Sequence, residues 1–124
     1  MESLTYADTV PYLPPIQTGK VIKVYDGDTI TLGTILDNKA YRFSVRLRGI
    51  DCPEMRGPHQ DQAKNARNEL YNLVFHKMVT LQQIEYDKYG RILADVYIDS
   101  IHVNEWMIQK NLAVPYFGGK RSTE

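Results

Sequence analysis

Residues 41–48 read Tyr41-Arg42-Phe43-Ser44-Val45-Arg46-Leu47-Arg48, an unbroken alternation of apolar and polar side chains. In an extended strand Tyr41, Phe43, Val45 and Leu47 fall on one face, and Arg42, Ser44, Arg46 and Arg48 on the other, the period of a half-buried strand. Working upstream, residues 29–36 form a β-type run ended by the reversal Asp37-Asn38-Lys39. Residues 19–25 form another, with Val21, Ile22 and Val24, ended by Asp26-Gly27-Asp28, where Gly27 is free to take positive φ. Three strands on short turns predict a meander that curls into a small barrel.

Downstream, residues 53–59 hold Pro53, Gly57 and Pro58 and read as an irregular loop. A helix is predicted over about 60–75, where Ala63, Ala66, Leu70, Leu73 and Val74 recur at helical spacing and Asp61 suits the first turn. Residues 79–85 and 92–98 read as two further strands. A short helix over about 103–110 follows, with Trp106 and Met107 available to the core and Asn111 placed as a left-handed stop. Three strands, a helix, two strands and a helix make a mainly β chain with helices: a five-stranded Greek-key barrel on the OB-fold plan, which often holds nucleic acid or sugar. Residues 1–18, with Pro11, Pro14 and Pro15, read as an extended arm that Tyr12 and Leu13 can order, 19–117 as the domain and 118–124 as a polar tail.

The chain has 124 residues, enough for one domain with its own core. Its single cysteine, Cys52, excludes an internal disulfide framework and a thiolate zinc cluster. No apolar run approaches the roughly 20 residues of a membrane span, and no basic start leads into an apolar block. An intracellular location, in a cell or an infected host, is expected, with a secreted mature form as the alternative. The 15 basic and 15 acidic residues balance. A protein that holds nucleic acid by charge alone is usually basic, but a neutral chain can do so when its acids are bunched at a bound cation.

The chemistry concentrates between residues 46 and 54. Asp28 follows a turn and Asp51 ends a strand; where those ends meet, the two carboxylates can share one hard cation, Ca²⁺ or Mg²⁺, and a backbone carbonyl such as that of Cys52 can add a ligand. Alone, Asp26-Gly27-Asp28 is an ordinary turn. Glu54, restrained by Pro53, can accept a proton from an attacking water; alone it is a loop carboxylate. Arg46 and Arg91 can clamp a phosphate through paired N–H groups, although each alone is a surface charge, as Arg42 and Arg48 are taken to be. Lys88 and Tyr89 can hold a further phosphate and stack on a base, and Tyr116 and Phe117 either stack or close the core. His59, His76 and His102 are scattered and read as structural or exposed, and Cys52 lacks a basic partner nearby in sequence.

Four segments in order, Val24-Tyr25-Asp26-Gly27-Asp28-Thr29, Val45 through Glu54, Asp87-Lys88-Tyr89-Gly90-Arg91 and Val103-Asn104-Glu105 before Asn111-Leu112-Ala113, resemble the staphylococcal nuclease (thermonuclease) family over about residues 20–114. The resemblance implies an OB-fold and Ca²⁺-dependent hydrolysis of DNA and RNA by water attack, with endonucleolytic or exonucleolytic cutting that leaves 3′-phosphates. It implies calcium ligation by Asp28, Asp51 and the Cys52 carbonyl, water activation by Glu54, a phosphate clamp of Arg46 and Arg91, and nucleotide contacts from Lys88 and Tyr89. Cys52 stands where threonine is common, and residues 85–87 leave a shorter loop before Lys88 than in the secreted bacterial enzymes. The chain stops soon after Tyr116, where those enzymes add a third helix, so the N-terminal arm or a second copy of the chain is expected over that surface. The alternative reading is a non-catalytic module of the same fold that binds nucleic acid or protein; a barrel that binds sugar or protein leaves the acids and arginines without a purpose.

Overall fold

The computed structural model describes residues 3–9, 17–86 and 91–116. After a 3-10 turn at Tyr6–Asp8, strands β1 (Thr18–Asp26), β2 (Thr29–Leu36) and β3 (Lys39–Leu47) form an antiparallel meander. A two-residue strand β4 (Ile50–Asp51) leads to helix α1 (Gln60–Val74), then to β5 (Met78–Tyr86), β6 (Ile92–Ile98), a short β7 (Ile101–His102), helix α2 (Val103–Gln109) and β8 (Val114–Pro115). The sheet order is β3-β2-β1-β5-β6-β7, and a parallel pairing of β3 with β6 closes it into a five-stranded barrel of the OB type.

The alternation in residues 41–48 is realised, with a local exception. Val45 and Leu47 are fully buried, but Phe43 is only half-buried and Tyr41 is exposed. Pairing with β6 begins at Val45, so the outer half of the β2–β3 hairpin has no strand beside it to close the core. Its tip is the two-residue turn Asp37-Asn38, with φ of 51° and 67°, the left-handed pair that suits the twist of a hairpin. Asn111 likewise adopts φ 60° and ends α2 as the sequence predicts.

Gly27 does not use the positive φ open to it. Gly49, at φ 78°, is the positive-φ glycine among the described residues. Gly27 is needed for space: a Cβ there would lie 2.7 Å from Cys52 Sγ and 2.9 Å from Ala66 Cβ. The first turn therefore packs directly against the β4 segment and α1, which brings Asp28 to the end of β4.

One buried polar side chain ties the last helix to the barrel. Asn104 in α2 accepts a hydrogen bond from Val96 N–H at 2.9 Å and donates to the carbonyls of Arg48 at 2.8 Å and Ala94 at 3.1 Å. Arg48 N–H also donates to the Ala94 carbonyl at 2.9 Å, so the chain leaving β3 is fixed to β6 just before β4. Asn104→Ala orphans the buried Val96 N–H and is expected to lower unfolding stability by about 2–4 kcal/mol. Chemical denaturation measures this, and a loss under about 1 kcal/mol would remove Asn104 from its place as the tie.

Candidate active site

Arg46 lies near the end of β3, opposite Thr29 of β2. Its side chain turns back over its own loop, with Nη1 donating to the carbonyls of Leu47 at 3.1 Å and Ile50 at 3.0 Å. Nη2 reaches two carboxylates, Asp51 Oδ1 at 3.4 Å and Asp28 Oδ2 at 3.6 Å. The Tyr116 ring covers the guanidinium, with its centroid 5.6 Å from Cζ, and the Tyr116 N–H is held by the Gly49 carbonyl at 2.8 Å. Asp28 thus meets Arg46 and Asp51, which lie further along the chain, at one rim of the barrel.

Asp28 is buried and crowded by its own charge type. Its Oδ1 accepts from the Thr29 hydroxyl at 3.2 Å and its Oδ2 from Cys52 N–H at 3.0 Å, while its own N–H donates to Asp26 Oδ1 at 3.0 Å. Burial first, then the charge and hydrogen bond of Asp26, raise the Asp28 pKa to about 6, against the pull of Arg46 and the Cys52 N–H. The Cys52 thiol is pushed up by burial and by the charges of Asp28, Asp26 and Asp51, which makes it inert as a nucleophile.

The rim is suited to a hard cation. It pairs two buried carboxylates within an all-oxygen donor set, and burial beside Asp26 disfavours the ionised form of Asp28, which a cation would offset. Among the described residues no three His, Cys, Asp or Glu side chains form a metal-holding group, so further ligands would be backbone carbonyls, such as that of Cys52, and water. Glu54 lies three residues past Asp51 with its side chain exposed, in a loop braced by Gly57 N–H on the Glu54 carbonyl at 3.2 Å. Arg91 precedes β6, and the register Val45↔Ile92, Arg46↔Leu93 gives it the parity of Leu93, on the face that carries Arg46. Lys88, Tyr89 and Phe117 lie outside the described residues, as do Pro11, Tyr12 and Leu13 of the arm.

Two residues join the site that sequence reasoning had placed elsewhere or left open. Asp26 was read as a turn acid, yet it adds charge beside Asp28; the two-residue spacing was its signal. Tyr116 covers the Arg46 face, a role for which a tail aromatic gives no sequence pattern. The histidines read as structural or exposed: His59 and His76 are exposed, His76, at φ 63°, stacking on Phe75 at 3.8 Å, and the half-buried His102 stacks on Tyr97 at 4.7 Å.

A five-stranded OB barrel with an arginine held between rim carboxylates defines a compact class of site, one built to handle charge at a strand end. The family model for staphylococcal nuclease homologues matches residues 44–124, and the chain belongs to that family. Over 100 residues it is 39% identical to an uncharacterized endonuclease of Escherichia coli, covering 79% of this chain and 60% of that protein. It is 35% identical over 85 residues to a staphylococcal-like nuclease of Arabidopsis thaliana, covering 68% of this chain and 25% of that protein. A protein of Bacillus anthracis is 37% identical over 102 residues, covering 77% of this chain and 46% of the relative. The chain therefore spans about 60% of the Escherichia coli relative and less of the other two. Among the described residues no helix is long and apolar enough to cross a membrane.

The raised Asp28 pKa has a stability consequence with a definite sign. The folded protein binds this proton more tightly than the unfolded chain, so without a cation stability falls as pH rises from about 3.8 through about 6. Near neutral pH the ionised group costs roughly 3 kcal/mol. In chelator at neutral pH Asp28→Asn is expected to melt above the parent, the difference closing as pH falls toward 4, while added Ca²⁺ raises the parent more than the variant. Melting curves that place the variant below the parent at every pH would contradict the strained-carboxylate account.

Proposed function

We propose that the chain is a calcium-dependent nuclease that hydrolyses phosphodiesters of DNA and RNA and leaves 3′-phosphate ends. The observation that carries this reading is the Arg46 guanidinium held within 3.6 Å of both Asp28 and Asp51 at the barrel rim. Such an arrangement sets a positive, many-donor group beside two oxygen ligands, which is what an anionic phosphate and a cation each require. The names carried by the Escherichia coli and Arabidopsis relatives support the same substrate class.

Asp28, Asp51 and the Cys52 carbonyl would hold Ca²⁺, which when bound offsets the carboxylate charge and the growing charge on phosphorus oxygens. Arg46 and Arg91, on one face, would grip the phosphate and stabilise the additional charge of the five-coordinate transition state. Glu54, exposed at the rim and backed by Pro53, would accept the proton of the attacking water. The new bond joins water oxygen to phosphorus, the bond from phosphorus to the 5′-oxygen breaks, and the leaving oxygen takes a proton from solvent. Lys88 and Tyr89 are assigned to the adjoining nucleotide. Arg46 needs its planar fork, because a lysine ammonium cannot serve two carboxylates, two carbonyls and a phosphate together.

With plasmid DNA or single-stranded RNA as substrate, calcium-supported cutting that stops in chelator is expected. Glu54→Gln should keep the fold and slow cutting by about 10²–10⁴-fold. Cutting at the parent rate by that variant would dismiss Glu54 as the proton acceptor. Metal-dependent retention of DNA without cutting would instead make the protein a binding module.

A further inference from the structure

The outer face of the β1–β3 meander carries cations that the proposed hydrolysis does not use. Register sets them in rungs: Lys20↔Gly33↔Arg42, then Lys23↔Thr31↔Ser44, then Asp26↔Thr29↔Arg46 at the rim. Alternation along β3 puts Arg42, Ser44 and Arg46 on one face. On β1 an irregularity between Val21 and Lys23 turns two successive residues, Ile22 and Lys23, outward while Val21 and Val24 stay buried. The result is an open groove of about 550 Å³ lined by Ile22, Lys23, Thr31, Arg42 and Ser44. Gly33 keeps its floor low, since a Cβ there would already touch the Ile22 methyls at 3.4 Å.

Among the described residues Lys20, Lys23 and Arg42 have no ion-pair partner, in a chain whose 15 basic and 15 acidic residues balance overall. Tyr25 stands 62% exposed beside the Lys23 ammonium, which lies 5.9 Å from its ring centroid. The outer strands β1 and β3 are two strand spacings apart, about 10 Å, a width that admits one polynucleotide strand. Cations flanking a narrow track, with an aromatic face beside it, suit a backbone with unstacked bases.

We propose that this groove is a track for single-stranded nucleic acid that leads along β3 to Arg46, with Lys20 and Arg42 flanking one phosphate, Lys23 on the next and Tyr25 against a base. The direction of the track rests on the hydrolytic reading; the grip itself does not. The test is equilibrium binding in chelator, by anisotropy of a labelled oligothymidylate of about fifteen nucleotides and of a dinucleotide. The parent should bind the longer strand more tightly and with a steep salt dependence. Lys23→Ala with Arg42→Ala, both exposed, should lose that length advantage, and the slope of log affinity against log salt should fall by about 1.4, about 0.7 per lost phosphate contact. Lys23→Arg with Arg42→Lys should keep both. An unchanged slope in the alanine pair, or no length dependence in the parent, overturns the track. A protein that grips in this way but cuts nothing overturns the hydrolysis and leaves the track; one that cuts yet grips long strands no better overturns the track alone.

Discussion

Three parallel pairs, Val45–Ile92, Arg46–Leu93 and Leu47–Ala94, close the sheet, and the rim depends on that seam. Without it β3 would be an edge strand, and Arg46 a solvated charge with no fixed direction. With it, the chain beyond Leu47 is pinned to Ala94 and to Asn104, so Gly49 must turn sharply and β4 must begin where it does. Asp51 then arrives beside Arg46. Asp28 is brought to the same place by a different constraint, the contact of Gly27 with Cys52 and Ala66. Hydrophobic closure and one glycine thus set the geometry of groups that are themselves polar.

The rim stores unfavourable electrostatics. Asp28 is buried beside Asp26, and the Asp28 pKa near 6 expresses that burial first and the charge of Asp26 second, against the pull of the one guanidinium that reaches both Asp28 and Asp51. A site that is uncomfortable when empty of cations is the arrangement expected where a charged ligand is to be bound, and such strain concentrates at functional positions. Arg46 spends three hydrogen-bonding and ionic contacts on its own loop and a fourth on Asp28, which fixes the direction of its guanidinium.

Long elements are legible because their period repeats several times within them. Residues 92–98 were expected as a strand and form β6 over that span, and both helices begin and end within a residue of expectation. The two-residue strands β4, β7 and β8 were not legible, since two residues carry no period. The role of Gly27 was missed because sequence suggests backbone freedom first, whereas its neighbours come from positions 52 and 66. From the sequence the meeting of Asp28 and Asp51 is conditional on their strand ends coming together, and the structure brings both to Arg46, whose grip on the Leu47 and Ile50 carbonyls is a side-chain path that no pattern announces. The outward pair Ile22-Lys23 breaks the strand alternation, and only the irregular register reveals it.

The central claim is that the rim where Arg46 joins Asp28 and Asp51 is the cation and phosphate site. Diffraction from crystals grown with Ca²⁺ and a nucleoside bisphosphate, with calcium located by its anomalous signal, tests it most directly. The account predicts a cation against the Asp28 and Asp51 carboxylates and a phosphate against Arg46 and Arg91. A cation and phosphate bound together elsewhere on the barrel, with the rim unchanged, would contradict it.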